Sequence, residues 1–270
     1  MNYIYSMQIP PGKKIFFLSD FHLGAPDHKS SLQREKIIIG FLEQARKDAA
    51  AIFIVGDLFD FWYEYRKVVA KGYVRILGKL GEITDEGIAV HFFVGNHDMW
   101  MSGYFEDELN IPVYHEPKVF ELNGKKFLLG HGDGLGPGDY GYKFIKKIFR
   151  NKFCHWLFGI LPPAAGVGLA NYFSRKSRAV TGQIEEQFLG EDKEWLIRYC
   201  KEVMKNEHFD YLIFGHRHLP IDFLFKNGSR YINLGDWIRY YSYAAFDGNE
   251  LVLTCWLGES NNKIVRKNEM

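Results

Sequence analysis

Ala51-Ile52-Phe53-Ile54-Val55-Gly56-Asp57-Leu58-Phe59-Asp60-Phe61-Trp62 is the stretch on which the reading of this chain turns. Five apolar residues with no polar alternation predict a strand covered on both faces, and the Gly-Asp pair that stops it predicts a carboxylate at the strand's carboxyl end. The plan recurs on either side. Lys14 to Ser19 forms a run of the same kind leading to Asp20 and His22, and Ala89 to Val94 leads to Gly95-Asn96-His97-Asp98. Between these runs Leu32, Ile37, Ile38, Phe41, Leu42 and Ala45 recur at helical spacing, and a second helix is expected from about Lys71 to Glu86. Further on, Phe127 to Leu129 runs into Gly130-His131, and Tyr211 to Phe214 into Gly215-His216-Arg217-His218. Arg230 to Asn233 and Ser242 to Trp256 alternate around Gly235 and Asp247-Gly248, as antiparallel strands closing a sheet would. The expectation is a mixed α and β fold with five polar clusters at strand ends, the place where open α/β sheets gather their ligands.

The chain has 270 residues, 47% apolar and 25% charged, which is ordinary globular usage and enough to bury a sizeable core. We read residues 1–270 as a single domain carrying an insertion at about 134–190. A formal charge of +1 excludes a chain-wide basic field, and no nucleic-acid partner is expected. Cys154, Cys200 and Cys255 are odd in number and far apart, which suits a reducing compartment better than a disulfide framework. The N-terminal apolar run spans only Ile15 to Leu18 and abuts Lys13 and Lys14, so no signal-peptide plan is legible and a cytoplasmic location is expected. Phe153 to Ala170 is the most apolar stretch, but His155 and Pro162-Pro163 interrupt it, and a spanning helix needs about 20 apolar residues.

From Gly134 to Gly190 the rhythm breaks. Lys143, Lys146, Lys147, Arg150 and Lys152 interleave with Phe144, Ile145, Ile148, Phe149 and Phe153, a basic amphipathic pattern, and Arg175-Lys176-Ser177-Arg178 forms a second basic run. The segment reads as a helical lid over the strand ends. The plainer alternative is an amphipathic helix packed on the body with a solvated basic face.

Taken singly, an Asp-x-His or a Gly-His means little, since Asp caps helices and His is commonly a satisfied polar residue. Together the blocks supply carboxylate, amide oxygen and imidazole, the donors that two hard divalent ions need, with a shared carboxylate to bridge them and offset their repulsion. The glycines beside Asp57, Asn96, His131 and His216 are expected to supply backbone conformations that only Gly adopts cheaply. His28, His91, His115, His155 and His208 lie outside the blocks and are read as structural, as is the aromatic set Trp237, Tyr240, Tyr241 and Tyr243.

In these blocks the chain resembles the calcineurin-like metallophosphoesterase superfamily, whose D-x-H, GD-x-x-D, GNH-D/E, GH and GH-x-H motifs occur here in order over roughly residues 14 to 236. The resemblance implies a four-layer αββα sandwich with a helical lid insertion. It also implies that one metal is held by Asp20, His22, Asp57 and His218 and the other by Asp57, Asn96, His131 and His216, with Asp57 as the bridge. A water activated between the ions would be the nucleophile, His97 the general acid, and Asp60 the carboxylate that orients the His97 imidazole. Mn²⁺ is the expected ion, both from the donor mixture and from the family.

Within the superfamily, Gly56-Asp57-Leu58-Phe59-Asp60-Phe61-Trp62 and His131-Gly132-Asp133-x-Leu135 are similar to the signatures of the UDP-2,3-diacylglucosamine pyrophosphatases of lipid A biosynthesis. That resemblance implies hydrolysis of a nucleotide-linked acylated sugar to UMP and 2,3-diacylglucosamine 1-phosphate by a cytoplasmic protein peripherally associated with the inner membrane, the basic residues of the lid meeting the substrate phosphates or the anionic membrane surface. Asp139, Tyr142, Arg175, Ser177 and Arg178 would lie near the substrate, and Asn96 would serve both metal and substrate. Two departures stand out: His97 occupies a position where that family carries Arg, and Gly136-Pro137-Gly138 replaces a more polar stretch. A phosphoesterase acting on nucleotides, nucleic acids or phosphoproteins is the alternative within enzymes, because a metal centre fixes the reaction and not the substrate. A noncatalytic scaffold is the alternative outside them, disfavoured because no candidate ligand is missing.

Overall fold

A computed structural model describes residues 4–137, 140–170, 172, 187–258 and 263–269, with backbone alone for 140–142 and 145. Its strands are β1 (Tyr5–Met7), β2 (Lys14–Leu18), β3 (Ala49–Val55), β4 (Ala89–Phe93), β5 (Val113–Tyr114), β6 (Lys118–Leu122), β7 (Lys125–Leu129), β8 (Tyr211–Phe214), β9 (Pro220–Leu224), β10 (Arg230–Leu234), β11 (Ser242–Phe246), β12 (Leu251–Cys255) and β13 (Val265–Asn268). They form two sheets, one in the order β12-β11-β2-β3-β4-β5 and one in the order β1-β6-β7-β8-β10-β9-β13.

Strand alternation sorts the core into layers. Ile15, Phe17, Ala51, Phe53 and Val55 face Phe127, Leu129, Ile213 and Ile232 in a cluster between the sheets, with Phe17 stacked 5.9 Å from Phe127. The alternate residues, Phe16, Leu18, Ile52 and Ile54, point the other way onto helices α1 (His28–Ala45), α2 (Val74–Asp85) and α3 (Tyr104–Leu109). On the far sheet Leu128, Leu212 and Phe214 turn outward onto the helix Trp195–Val203. Helices, sheet, sheet and helix are thus four layers, and strands buried on both faces explain why their sequences run apolar without a break.

The helix expected from Lys71 begins at Val74. Gly72 (φ +101°) and Tyr73 (φ +57°) hold left-handed backbone that a right-handed helix cannot continue. Between β7 and β8 the chain leaves the body as α4 (Tyr140–Phe149) and α5 (Lys152–Ile160), followed by a further helical stretch at 163–170. It rests on the loops after β3 and β4. Trp100 Nε1 donates to the Phe149 carbonyl at 2.7 Å, Tyr63 Oη donates to the His155 carbonyl at 2.8 Å, and Phe158 packs 4.8 Å from Tyr63 and 4.7 Å from Trp100. Among the described residues no helix is long and apolar enough to cross a membrane.

Candidate metal centre

β2, β3 and β4 are parallel neighbours, as are β7 and β8, so five carboxyl ends emerge at the same edge of the two stacked sheets. The chain then turns sharply. Asp20, His22, Asp57, His216 and His218 all have φ between 44° and 65°, five of the nine non-glycine residues with positive φ among those described. Such conformations cost about 1–3 kcal/mol each and persist where the surroundings over-determine them, which marks functional sites. Asp and His tolerate this region better than most residues.

The side chains so placed converge. Ligand atoms of Asp20, His22, Asp57 and His218 lie within 4.8 Å of one another, as do those of Asp57, His131 and His216, and Asp57 is common to both sets. His22 Nε2 lies 3.1 Å from His218 Nε2, and Asp20 Oδ1 lies 3.1 Å from His218 Nε2. Asp57 Oδ2 lies 3.2 Å from His131 Nε2 and 3.7 Å from His22 Nε2. Asn96 Oδ1 sits 3.2 Å from His131 Nε2.

Lone pairs decide whether this cluster fits cations. Val55 O can only accept, so His131 Nδ1, 2.8 Å from it, carries the hydrogen. In the neutral ring Nε2 then presents a lone pair to two further acceptors, Asp57 Oδ2 and Asn96 Oδ1. Three acceptors facing one point repel unless something positive sits among them. The second set is built alike: Asp20 Oδ1 is buried without a hydrogen-bond partner, and His22 Nε2 stands 3.7 Å from it and 3.7 Å from Asp57 Oδ2. Donor atoms held at about 2.0–2.2 Å from one ion stand roughly 3–3.5 Å apart, as these do. No Lys or Arg is paired with Asp20 or Asp57 among the described contacts, so the residues fit a pair of divalent ions.

Titration follows the same logic. Burial opposes ionisation of Asp57, yet the His131 imidazole holds its carboxyl well below the usual carboxylate range, and His218 does the same for buried Asp20. Burial alone would lower His131 and His218; Asp57 and Asp20 respectively override it and raise them, so protons occupy the place a cation would take. His97 and His216 are pushed down to about 4, chiefly by burial, and are neutral at pH 7. Asp98 is pushed up to about 7 by burial and by Asp57. Its oxygens accept from Gly95 N at 2.7 Å and Leu58 N at 2.8 Å, clamping the turns after β3 and β4 together.

His97 and Asp60 are brought together, though not only through the carboxylate. His97 Nδ1 lies 2.9 Å from the Asp60 main-chain oxygen, whereas Asp60 Oδ1 is 3.7 Å from His97 Nδ1 and 3.8 Å from His22 Nδ1. The carbonyl fixes the tautomer, leaving Nε2 as the atom able to exchange a proton. Asp139, Arg175, Ser177 and Arg178 lie outside the described residues, as does the Tyr142 side chain.

Two of the flanking glycines are required for space rather than conformation. Gly95 and Gly215 do not have positive φ, but a Cβ on Gly95 would stand 2.2 Å from Asp57 Oδ1, and one on Gly215 would stand 2.4 Å from Asp20 Oδ2. Gly56 (φ +88°) does meet the conformational expectation.

Two features of the site were not found by reading the sequence. Asp236, after the end of β10, accepts from the backbone N–H groups of Ile238, Arg239 and Tyr240 through Oδ1, with Oδ2 3.9 Å from His218 Nδ1. Gly235-Asp236 repeats the apolar-strand-then-Gly-Asp pattern of β3, a signal that was available. Arg217, between the two histidines of its block, points away from them into a buried pair: Nε lies 3.2 Å from Glu194 Oε2, Nη2 donates to Gln187 O, and both charged side chains are 1% exposed. The pair ties the His216–His218 turn to the point where the chain returns from the α4–α5 segment.

A family model of the calcineurin-like phosphoesterases matches residues 13–220. The chain belongs to that family, and the family together with the donor cluster implies divalent metal ions. It is 41% identical to the UDP-2,3-diacylglucosamine hydrolase of Porphyromonas gingivalis over 89% of this chain and 96% of that relative. The Pseudomonas aeruginosa protein of the same name is 28% identical over 87% and 95%. Among solved structures, a dimetal phosphatase from Danio rerio is 12% identical, covers 92% of this chain and 100% of its own, and superimposes with a TM-score of 0.44.

Proposed function

We propose that the chain hydrolyses the pyrophosphate of UDP-2,3-diacylglucosamine to UMP and 2,3-diacylglucosamine 1-phosphate, a step of lipid A biosynthesis, at the cytoplasmic face of the inner membrane. One observation carries the substrate class: a cavity of about 550 Å³, lined largely by apolar side chains, opens beside the donor cluster. Gly24 and Phe61 line it, two residues beyond His22 and one beyond Asp60, and Pro163 and Val167 close it from the other side. A pyrophosphate at the cluster would leave acyl chains within reach of this space, where each buried CH₂ contributes about 0.8 kcal/mol. The segment at about 134–190 then acts as a lid on a single domain, with Asp139, Tyr142, Arg175, Ser177 and Arg178 toward the substrate.

Asp20, His22, Asp57 and His218 would hold one ion and Asp57, Asn96, His131 and His216 the other. Two ions there, Mn²⁺ by the donor mixture, supply a water made nucleophilic at neutral pH and charge to offset that of the phosphates. The protein does the rest by positioning. Val55 O fixes the His131 tautomer, Asp98 braces two of the turns, and Asp57 is shared. His97 Nε2 is the candidate proton carrier; neutral when the site is free, it takes a proton as a phosphate anion arrives, since an adjacent negative charge favours imidazolium. The leaving group is a phosphate monoester with a second pKa of about 6, so the acid required of His97 is mild.

Incubation of the Mn²⁺-loaded protein with UDP-2,3-diacylglucosamine in ¹⁸O-water tests this reading by ³¹P NMR. Label in UMP supports attack on the α-phosphorus. Label in the sugar phosphate, or no turnover, defeats it. A second reading, a phosphoesterase of other specificity, is favoured by His97 alone; faster turnover of bis-p-nitrophenyl phosphate than of the lipid substrate would select it.

A further inference from the structure

α1 turns three polar side chains toward the body. Ser31, Arg34 and Glu35 are at most 7% exposed, on a helix whose other buried residues are Ile38, Phe41, Leu42 and Ala45. Spaced i, i+3, Ser31 and Arg34 share a face, and both hold the loop that carries His22. Ser31 Oγ accepts from Gly24 N at 2.7 Å, while Arg34 Nη2 donates to His22 O at 2.7 Å and to Ala25 O. The other side of the loop is fixed independently: the N–H groups of Asp20, Phe21, His22 and Leu23 donate to the carbonyls of Gly56, Asp57, Asp57 and Leu58 in turn. His22, in left-handed backbone at φ +44°, is thus gripped through its N–H by the turn after β3 and through its carbonyl by α1.

By its own chemistry Arg34 is out of place. It has no ion-pair partner among the described residues, its Nε is buried without a hydrogen-bond partner, and burial holds it below its ordinary pKa. Burying an unpaired cation is costly, and one bonded to the loop of a two-cation site also repels what that site is to hold. Charge therefore does not account for this side chain, and its donors do. A guanidinium offers a planar fork of N–H groups and no acceptor. This one is aimed so that two carbonyls of the His22 loop are satisfied while its own Nε is not.

We propose that Arg34 is a positioning residue of the metal centre: through the His22 carbonyl it fixes the His22 imidazole against Asp20, Asp57 and His218, and so sets the affinity of the one ion those residues hold. The proposal rests on the two-ion assignment and not on the substrate. Metal-free full-length protein is dialysed to equilibrium against Mn²⁺ as wild type, Arg34→Met, Arg34→Lys and Ile38→Ala; the last removes core packing from α1 one turn further on and no hydrogen bond. Wild type should take up two ions. Arg34→Met should keep one with wild-type affinity and bind the other about 10–100-fold more weakly, the range for a group that supports a metal ligand. In the metal-free protein its amides from Asp20 to Leu23 should exchange with deuterium faster than in wild type, and those from Gly95 to Asp98 should not. Arg34→Lys, which keeps the charge without the planar fork, should weaken the same ion by less. Ile38→Ala should melt lower than wild type and bind both ions normally. Two ions held with wild-type affinity by Arg34→Met and Arg34→Lys overturn the proposal, as does an Ile38→Ala that loses the same ion, since general loosening would then suffice. Should Arg34→Met not fold, Arg34→Lys carries the test. A wild type that takes up fewer than two ions removes the two-ion assignment itself, and the proposal with it.

Discussion

The strand-end cluster and the α4–α5 segment obey opposite rules. At the cluster Asp20, His22, Asp57 and His131 are buried and His97, His216 and His218 half-buried, several are held in left-handed backbone, and glycines at 95 and 215 leave no room for a methyl group. On α4–α5 apolar rings lie in solvent and the segment rests on a few contacts to Tyr63, Trp100, Asp133 and Glu116. The reaction is fixed by groups that cannot move without clashing. On the proposed function, what reaches the reaction would be set by this segment and not by the cluster, since a metal centre fixes the reaction and not the substrate.

If that contrast holds, substitutions at the cluster are costly in both chemistry and metal, and those on α4–α5 cost neither. Asp57→Ala should show the largest effect, a loss of turnover exceeding the roughly 10²–10³-fold cost of removing one electrostatic donor, measured with purified protein at saturating Mn²⁺. Arg217→Met comes next. It leaves Glu194 buried without its partner, which should destabilise the fold by about 3–5 kcal/mol and lower the melting temperature by roughly 10 °C. Adding Glu194→Leu should restore most of that loss, and a single variant that melts like wild type would remove Arg217 from the account.

Metal affinity should depend on pH with a definite sign. His131 and His218 are raised, so below their folded pKa they carry protons that an incoming cation must displace. Affinity should therefore rise with pH, by about tenfold per unit for each proton displaced, and level off once both rings are neutral. Stability of the metal-free fold runs the other way for these rings: their contribution is complete below the ordinary imidazole value and fades as pH rises through the raised one. Asp20 and Asp57, held low, contribute above the ordinary carboxylate value and lose that contribution only in acid. Calorimetric titration with Mn²⁺ in buffers of different ionisation enthalpy counts the protons, and a flat profile would show that the entering ions displace none from His131 and His218. The smallest effect is expected at the cavity wall. Val167→Phe should raise KM about tenfold if it displaces two CH₂ groups, at about 0.8 kcal/mol each, with kcat and melting temperature unchanged.

The donor residues were legible in the sequence because each follows a short, predominantly apolar strand buried on both faces, with His91 in β4 the one polar interruption. Other parts were silent for physical reasons. β9 opens on Pro220 and β5 is two residues long, too brief for a periodicity. Left-handed backbone at Asp20, His22, Asp57, His216 and His218 leaves no compositional mark, since these residues are there for their donors. The glycine requirement arises at 95 from Asp57 after the neighbouring strand and at 215 from Ser19 and Asp20 after a strand of the other sheet, and only the assembled sheets reveal it. The cavity is assembled from residues 24–35, 61–75 and 163–167, three pieces with no common pattern. Asp236 follows a strand and a glycine as Asp57 does, so its place at a strand end is legible in the same way.

On the proposed function, side chains from five strand ends form one cage for two cations that share Asp57. Electron paramagnetic resonance of the protein loaded with two equivalents of Mn²⁺ tests this most directly. A spin-coupled pair in the wild type, replaced by isolated Mn²⁺ or a single ion in Asp57→Ala, is the expected result. Two magnetically independent ions in the wild type, or a coupled pair that survives Asp57→Ala, would contradict it.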